Sequence, residues 1–244
     1  MMLPFSQDAI ALCAPERTAH VIDIAAGPGT LALELAPRVA RIDAVDFAPA
    51  MLEKLEVAKK ARGIDNVCSA WADGQALPFP DATFDAGFSM FGLMFFPDRK
   101  QGFRELHRVL KPGAKAVVSS WAPVADSPLM VLMFGALCAA DPSRSPPQTN
   151  LLSLENPELF AQEMTEAGFR DVEVRRFTHA LHVADAESFW RGVTLGSAPI
   201  AMLKQRLGPA EWERQAELAL AYLREQIRAP AEFATTAHLG IGTR

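Results

Sequence analysis

The chain has 244 residues, of which half are apolar, so it is long and apolar enough to form one large domain. The formal net charge is −5 and no basic stripe is present, which argues against a nucleic-acid partner, because binding to phosphate backbones needs clustered Lys and Arg. The longest apolar run, residues 129–140, is too short for a membrane span, and the first residues lack a secretory signal.

Strand and helix patterns alternate through the first half of the chain, which predicts a parallel sheet with helices on both faces. The predicted strands are 21–25, 40–47, 66–73, 84–91 and 114–121, and the predicted helices between them are 31–40, 48–63 and 99–110. The second half predicts a helix over 156–169, a strand over 170–183, two further helices and a closing edge strand over 233–244. Within 170–183 the alternation predicts inward side chains, with one irregularity near Arg176, at Val172, Val174, Phe177, His179 and Leu181.

A small-residue loop joins the first strand to the first helix in VIDIAAGPGTLALELA. Gly27, Gly29 and Ala32 form a Gly-x-Gly-x-x-Ala pattern, which is typical of dinucleotide sites, although a tight turn alone also needs small residues. Asp46 ends the second strand, where a carboxylate either accepts hydrogen bonds from ribose hydroxyls or is a solvated loop residue. Pro28 removes one backbone donor, which favours a nucleoside without phosphates over a pyrophosphate.

Other ionisable residues divide by the strand end at which they lie. Asp73 follows the third strand, where it either reaches an amino group of a bound base or caps the turn that Gly74 closes. Asp85 begins the fourth strand, at the opposite edge, and is predicted to be structural. His107 is predicted to lie at the surface, and none of the five histidines is placed as a general base, so the catalytic residues stay unassigned.

Four stretches, in order and at the usual spacing, resemble the class I S-adenosylmethionine-dependent methyltransferases. They are VIDIAAGPGT, AVDFAPAML, ADGQALPFPDATFDAGFSMFGLMFFPD and FRELHRVLKPGAKAVVSSW, within residues 21–121. The chain is most similar to the small-molecule branch that includes the ubiquinone/menaquinone-biosynthesis C-methyltransferases. The resemblance implies an α/β fold with a Rossmann-like, doubly wound, seven-stranded sheet. This sheet is mostly parallel, with an antiparallel last strand inserted between strands five and six.

The resemblance also implies S-adenosylmethionine as the cofactor and gives its contacts. Asp23 and the loop Ala25–Gly29 line the methionine part, with Asp23 near the ammonium group, to which Ser89 offers its backbone carbonyl. Asp46 holds the ribose and Met51 packs on the adenine. The implied cofactor-binding set, which includes two residues at the adenine edge, Ala72 and Asp73, is Asp23, Ala25, Ala26, Gly27, Gly29, Asp46, Phe47, Met51, Ala72, Asp73 and Ser89. Ala25 stands where the family more often has glycine; a methyl group is tolerable there if the backbone has a negative φ, and on that expectation the departure is minor.

The implied function is in-line methyl transfer to a small apolar or aromatic molecule, which a dry apolar pocket assists. Phe91, Phe95 and Trp121 follow the fourth and fifth strands and are the candidate pocket residues, although ordinary core packing also explains such side chains. One alternative is an NAD-dependent oxidoreductase, which shares the glycine loop and Asp46 but does not predict Asp73 or LKPG. A non-catalytic, cofactor-binding relative of the methyltransferase fold is the other.

The resemblance to the methyltransferases and the composition also predict the domain organisation, partners and location. Residues 1–244 are predicted to form a single methyltransferase domain, in which 122–168 is a candidate substrate cap. Relatives carry longer N-terminal helices before their first strand, so either this segment or another subunit supplies the cap, or the site is unusually open. The expected partner is a small-molecule methyl acceptor, with no metal and, as one option, a second copy of the chain in a homodimer. Three widely spaced cysteines form neither a disulfide framework nor a metal site, which favours a cytoplasmic location.

Overall fold

One seven-stranded sheet organises the chain in a computed structural model, which describes residues 2–144 and 154–244. The strands are β1 His20–Ile24, β2 Arg41–Asp46, β3 Val67–Trp71, β4 Phe84–Met90, β5 Leu110–Trp121, β6 Arg170–Val183 and β7 Ala231–Thr243. Their order is β3-β2-β1-β4-β5-β7-β6; β1 to β5 pair in parallel and β7 pairs antiparallel with β5. The predicted Rossmann-like sheet is therefore confirmed, with the strand order reversing between β1 and β4, where α/β sheets open a ligand crevice.

Helices connect and flank the strands in the described ranges. They are α1 Leu3–Cys13, α2 Thr30–Leu35, α3 Pro49–Ala61, α4 Arg99–Val109, α5 Pro128–Ala140, α6 Pro157–Glu166, α7 Ala186–Gly196, α8 Ala198–Leu207 and α9 Pro209–Gln226. Side chains of Asp98, Asn156 and Asp185 accept backbone N–H bonds at the starts of α4, α6 and α7. These caps explain why the three helices begin where the sequence supplies a short acceptor side chain.

Three features differ from the prediction. β5 begins at Leu110, so the Lys-Pro-Gly stretch lies within the strand, and the register against β4 shifts between Phe84 and Ala86. β7 lies between β5 and β6, so its placement as an edge strand was wrong, whereas the insertion implied by the resemblance is confirmed. α1 was not predicted.

In β6 the predicted alternation is confirmed, because the five inward positions are less exposed than their neighbours and two exposed residues, Arg175 and Arg176, interrupt it.

Two compact units divide the described residues. One holds residues 2–122, 154–177 and 237–244, and its core includes Ile22, Phe84, Phe103 and Phe160, all of them fully buried. The other holds residues 123–144 and 178–236, with a core of α5, α7 and α9 side chains that includes stacked Trp190 and Trp212. The residues implied for the cofactor all belong to the first unit.

The amino edge of the sheet carries structural ion pairs. Asp85 accepts a hydrogen bond from the His20 backbone N–H at 2.9 Å and pairs with Lys111 Nζ at 2.6 Å, as predicted for a structural carboxylate. His107, predicted to lie at the surface, is half-buried: its ring lies edge-on to Phe169 at 5.1 Å, and burial lowers its pKa. Within the described ranges, no helix has the length and apolar character of a membrane span.

Candidate cofactor and acceptor site

The glycine loop turns the chain from β1 into α2 at the carboxyl edge of the sheet. Gly29 has a φ of +82° and precedes α2, and a β-carbon there would lie 2.2 Å from Leu55 Cδ1. Only glycine satisfies both the left-handed backbone and this close approach. Gly27 also has a positive φ, +57°, but a β-carbon on it would meet no atom within 4 Å, so the loop surface over Gly27 is open.

Ala25 corrects one expectation, because its φ is +56° and not negative. The next residue, Ala26, donates its N–H to the Val45 carbonyl at 3.0 Å, so the loop must turn sharply at Ala25 to reach β2. Gly92 lies against Ala25 from the other side of the crevice, where a β-carbon on Gly92 would be 2.3 Å from Ala25 Cβ. A left-handed alanine stores strain, of the order of 1–3 kcal/mol, and such strain clusters at functional sites.

Asp46 holds the loop in place from the end of β2. Its Oδ2 accepts the Gly27 N–H and its Oδ1 accepts the Ala48 N–H, both at 2.8 Å. Charge-assisted bonds of this kind are stronger than neutral ones, so the carboxylate fixes both the loop after β1 and the chain after β2. Each oxygen keeps a second lone pair, so this position also suits the ribose contact that the sequence predicts.

Asp23, within β1, is a buried carboxyl group that is 1% exposed. Neither oxygen has a hydrogen-bond partner among the described residues. Burial, followed by repulsion from Asp46, raises the pKa of Asp23 from 3.8 to about 8; the Ala32 backbone N–H lies close enough to offset part of this rise but makes no hydrogen bond of normal geometry to the carboxyl group. A buried carboxyl without a partner is costly, and it favours a cationic ligand nearby.

Asp73 caps the turn after β3. Its Oδ1 accepts both the backbone N–H and the side-chain amide of Gln75, at 2.9 and 3.0 Å. Gln75 Oε1 in turn accepts the Asp98 N–H, which ties this loop to the start of α4. The turn-capping alternative for Asp73 is therefore observed, and its predicted contact with the base stays a prediction. Ala72 beside it is buried.

The remaining predicted cofactor residues differ in exposure. Phe47, directly after Asp46, is 66% exposed, whereas Met51 in the first turn of α3 is partly buried. Ser89 is fully buried in β4 and its hydroxyl accepts the Leu93 N–H at 3.2 Å. The structure thus brings the predicted set to the carboxyl ends of β1 to β4, while the individual ligand contacts stay predictions.

Phe91 and Trp121, two predicted pocket residues, lie together at the carboxyl ends of β4 and β5. Their rings stack at 4.0 Å, and both side chains are less than a tenth exposed. Phe91 is a left-handed residue with a φ of +56°, and the Ser119 hydroxyl accepts its N–H at 2.9 Å. Phe95, the third predicted residue, ends a short 3₁₀ turn after β4 and is 43% exposed, unlike this buried pair.

Sequence reasoning missed several residues that organise this edge. Phe5 in α1 is fully buried, and its ring lies edge-on to Phe91 at 5.6 Å and to Trp121 at 6.0 Å. Glu105 accepts the Leu77 N–H at 2.7 Å and pairs with Arg108, which also donates to the carbonyls of Leu77 and Phe79. The spacing of Glu105 and Arg108 on α4 was a readable signal of an ion pair, but not of the loop that they fix.

No cluster of metal-binding side chains occurs in the ranges 2–144 and 154–244.

The strand order and the loop place the chain among Rossmann-like α/β proteins with a ligand crevice at the β1/β4 switch point. The model of a family described as "Methyltransferase domain" matches residues 21–113. The demethylmenaquinone methyltransferase of Deinococcus radiodurans is 35% identical over 177 residues, which cover 64% of this chain and 72% of that protein. The ubiquinone/menaquinone biosynthesis C-methyltransferase UbiE of a Geobacter species is 32% identical over 168 residues, 63% of this chain and 71% of that protein.

Among solved structures, the YcgJ protein from Bacillus subtilis matches with a TM-score of 0.62 and 22% identity, covering 98% of this chain and 97% of that one. This likeness supports the fold alone. With the sequence relatives, the assignment is plain: the chain belongs to the class I S-adenosylmethionine-dependent methyltransferases. It is an enzyme whose cofactor is S-adenosylmethionine, and the alternative of an NAD-dependent oxidoreductase is set aside.

The residues at the crevice fit that cofactor. Asp23 supplies a buried negative site for a ligand that carries both a sulfonium and an ammonium group, and the open surface over Gly27 leaves room for its amino-acid end. Asp46 supplies acceptors for two ribose hydroxyls. We therefore expect these three residues to hold the cofactor.

Proposed function

We propose that the enzyme methylates a small aromatic acceptor that brings its own acidity, of the hydroquinone or phenol class. One observation carries this proposal: the ends of β4 and β5, which bear the aromatic residues, contain no ionisable side chain, and the nearest one on the neighbouring strand β7 is the buried His238, the register partner of Ser120. Residues 86–97, which include Phe91, and residues 116–125, which include Trp121, hold no Asp, Glu, His, Lys, Arg, Cys or Tyr. An acceptor at this edge cannot give its proton to either of these segments.

Hydroxyl groups at the same edge are engaged in structural bonds. The Ser89 and Ser119 hydroxyls accept backbone N–H groups of Leu93 and Phe91, and the Ser120 hydroxyl accepts the Leu154 N–H at 2.7 Å. A neutral serine hydroxyl that already accepts a backbone bond is a poor proton acceptor. A hydroquinone, whose hydroxyl ionises more readily than an alcohol, releases its proton to solvent before water is excluded and reacts as the anion, so it needs no side-chain base.

The bound cofactor supplies an electrophilic methyl group on a positive sulfur. The chain's own contribution is to hold the acceptor in line with that methyl group and to exclude water from the reacting atoms. The stacked and buried rings of Phe91 and Trp121 make this edge apolar, which suits a planar acceptor. An apolar environment also favours the merging of opposite charges in the transition state. The names of the relatives, demethylmenaquinone methyltransferase and ubiquinone/menaquinone biosynthesis C-methyltransferase, support a quinol-type acceptor and a carbon nucleophile.

Incubation with S-adenosylmethionine and 1,4-naphthalenediol tests the proposal. We expect release of S-adenosylhomocysteine and a product heavier by one methyl group, because this diol combines a flat apolar ring with acidic hydroxyls. The matched control is 1,4-dimethoxynaphthalene, which has the same ring but no acidic proton and should not react. Methylation of aliphatic amines or thiols, with none of phenols or hydroquinones, would show the acceptor class to be wrong.

The Ser119 hydroxyl offers a second test of the acceptor surface. We expect Ser119→Ala to lower kcat/KM for the best acceptor by about tenfold, because the Phe91 N–H loses its hydrogen-bond acceptor and the left-handed backbone at Phe91 is no longer held. The Kd for S-adenosylhomocysteine should stay within about threefold of the wild-type value. Ser120→Ala is the matched control, since it removes an equally buried serine hydroxyl from the next position of β5 without touching Phe91. If both variants lose stability and kcat/KM to the same extent, Ser119 has only a structural role.

Further features remain proposals. We propose that residues 1–244 act as one methyltransferase domain, in which 122–168 caps the acceptor; residues 145–153 of that stretch lie outside the described residues. A cytoplasmic location, a homodimer and the lack of a nucleic-acid partner likewise stay predictions from the sequence.

A further inference from the structure

Two large aromatic side chains are exposed side by side next to the cofactor residues. Phe47 follows β2 and is 66% exposed, and Trp71 ends β3 and is 58% exposed. Their ring centres lie 5.6 Å apart, with an angle of 41° between the planes. Exposed aromatic pairs of this size leave much apolar surface in water, which is typical of a surface that a ligand or partner covers.

Hydrogen bonds fix this pair relative to the nucleoside part of the crevice. The Trp71 indole N–H donates to the Phe47 backbone carbonyl at 2.9 Å, so the ring is held and does not swing freely. Trp71 is also the register partner of Asp46 across β2 and β3, and the Asp46 backbone carbonyl accepts the Ala72 N–H at 3.2 Å. The aromatic pair therefore adjoins both the predicted ribose carboxylate and the predicted edge of the base.

A flat, apolar ligand suits this surface better than a peptide or an anion does. No described hydrogen bond uses the Phe47 or Trp71 ring faces, and the one polar group of the indole is already bound to Phe47. The adenine of the cofactor is a flat ring system, and aromatic side chains stack on bases without needing polar contacts. Continuity with the cofactor crevice favours adenine over a second copy of the chain.

We propose that Trp71 is a further cofactor-binding residue, whose indole, positioned on Phe47, covers the outer face of the adenine. None of the sequence patterns that point to the cofactor includes this tryptophan. The contribution is one of affinity and adenosine specificity, because Trp71 lies beside the base and takes no part in methyl transfer.

Selective quenching of tryptophan fluorescence tests the contact directly. Of the four tryptophans, Trp121, Trp190 and Trp212 are at most 8% exposed, so added acrylamide reaches mainly Trp71. We expect saturating S-adenosylhomocysteine to lower the acrylamide quenching constant at least about twofold in wild type and to leave it unchanged in Trp71→Phe. Calorimetry on the same samples establishes saturation, so that weak binding is not mistaken for an uncovered ring. Unchanged quenching of saturated wild-type protein would overturn the proposal.

Three variants separate the indole from general loss of apolar surface. Trp71→Ala should weaken the binding of S-adenosylhomocysteine and of 5′-methylthioadenosine, which lacks the amino-acid end, by about tenfold each, because both contain the stacked base. Trp71→Phe keeps a ring but loses the N–H donor, so a smaller loss, about threefold, is expected. Val57→Ala is the control, since Val57 is an exposed apolar residue of α3, 70% exposed, and should leave both affinities unchanged.

A second copy of the chain is the competing occupant. Light scattering across a range of protein concentrations would detect a dimer that Trp71→Ala abolishes. That result, combined with unaltered affinity for 5′-methylthioadenosine, would assign the aromatic pair to a dimer interface and not to the cofactor.

Discussion

Asp46→Ala is expected to bind S-adenosylhomocysteine at least about 100-fold more weakly than wild type, as measured by calorimetry. The Asp46 carboxylate accepts the backbone N–H groups of Gly27 and Ala48, so its removal frees the glycine loop and the chain after β2 together. Bonds to a charged acceptor contribute about 1.5–3 kcal/mol each, and losing two corresponds to about two to four orders of magnitude in affinity. Loss of the predicted ribose contact adds to this effect.

Two further variants give this prediction its controls. Asp85→Ala removes a carboxylate that also accepts a backbone N–H, from His20, but lies at the amino edge of the sheet. We expect it to lower stability while leaving the Kd for S-adenosylhomocysteine within about twofold. Asp46→Asn keeps one carbonyl acceptor and should fall between wild type and Asp46→Ala. Equal affinity of wild type and Asp46→Ala would remove Asp46 from the cofactor site.

The sequence predicted those parts of the fold that depend on local patterns. The apolar run of β1, the small residues of the loop and the carboxylate at the end of β2 are contiguous or periodic signals, and each lies where it was expected. The irregularity in β6 was readable for the same reason, since two adjacent polar residues, Arg175 and Arg176, break a period of two. The position of β7 between β5 and β6 came only from the resemblance, because strand order does not follow from local patterns.

The features that were missed depend on contacts between distant parts of the chain. Phe5 and Trp121 meet only after α1 has packed beside β5, and Ser119 meets the Phe91 N–H only through the pairing of β4 and β5. Backbone strain at Ala25 and Phe91 is equally invisible in the sequence, because neither residue type favours a positive φ. Such strain persists only where surrounding contacts impose it. It can therefore be seen in the folded structure but cannot be predicted from the sequence.

Asp23→Asn is expected to raise the stability of the cofactor-free protein. The folded pKa of Asp23 is about 8, against an ordinary value of 3.8, because the group is buried and lies near Asp46. From about pH 4 to pH 8 the unfolded chain has released this proton while the folded chain keeps it, so the free energy of unfolding falls as the pH rises. Asparagine does not titrate, so the advantage of the variant should grow across this window and reach several kcal/mol near pH 8. Urea unfolding of both proteins at pH 5 and pH 8 measures the difference.

The same substitution should weaken cofactor binding, because the ammonium group of the cofactor favours the ionised form of Asp23. In wild type the affinity for S-adenosylhomocysteine should rise between pH 6 and pH 8, by up to about tenfold per pH unit, with release of up to one proton per molecule bound. Calorimetry at pH 7 in buffers of different ionisation enthalpy counts that proton, and Asp23→Asn should release none. A wild-type affinity that is flat across this range, together with identical proton counts for the two proteins, would mean that Asp23 stays protonated beside the cofactor and contributes no charge to its recognition.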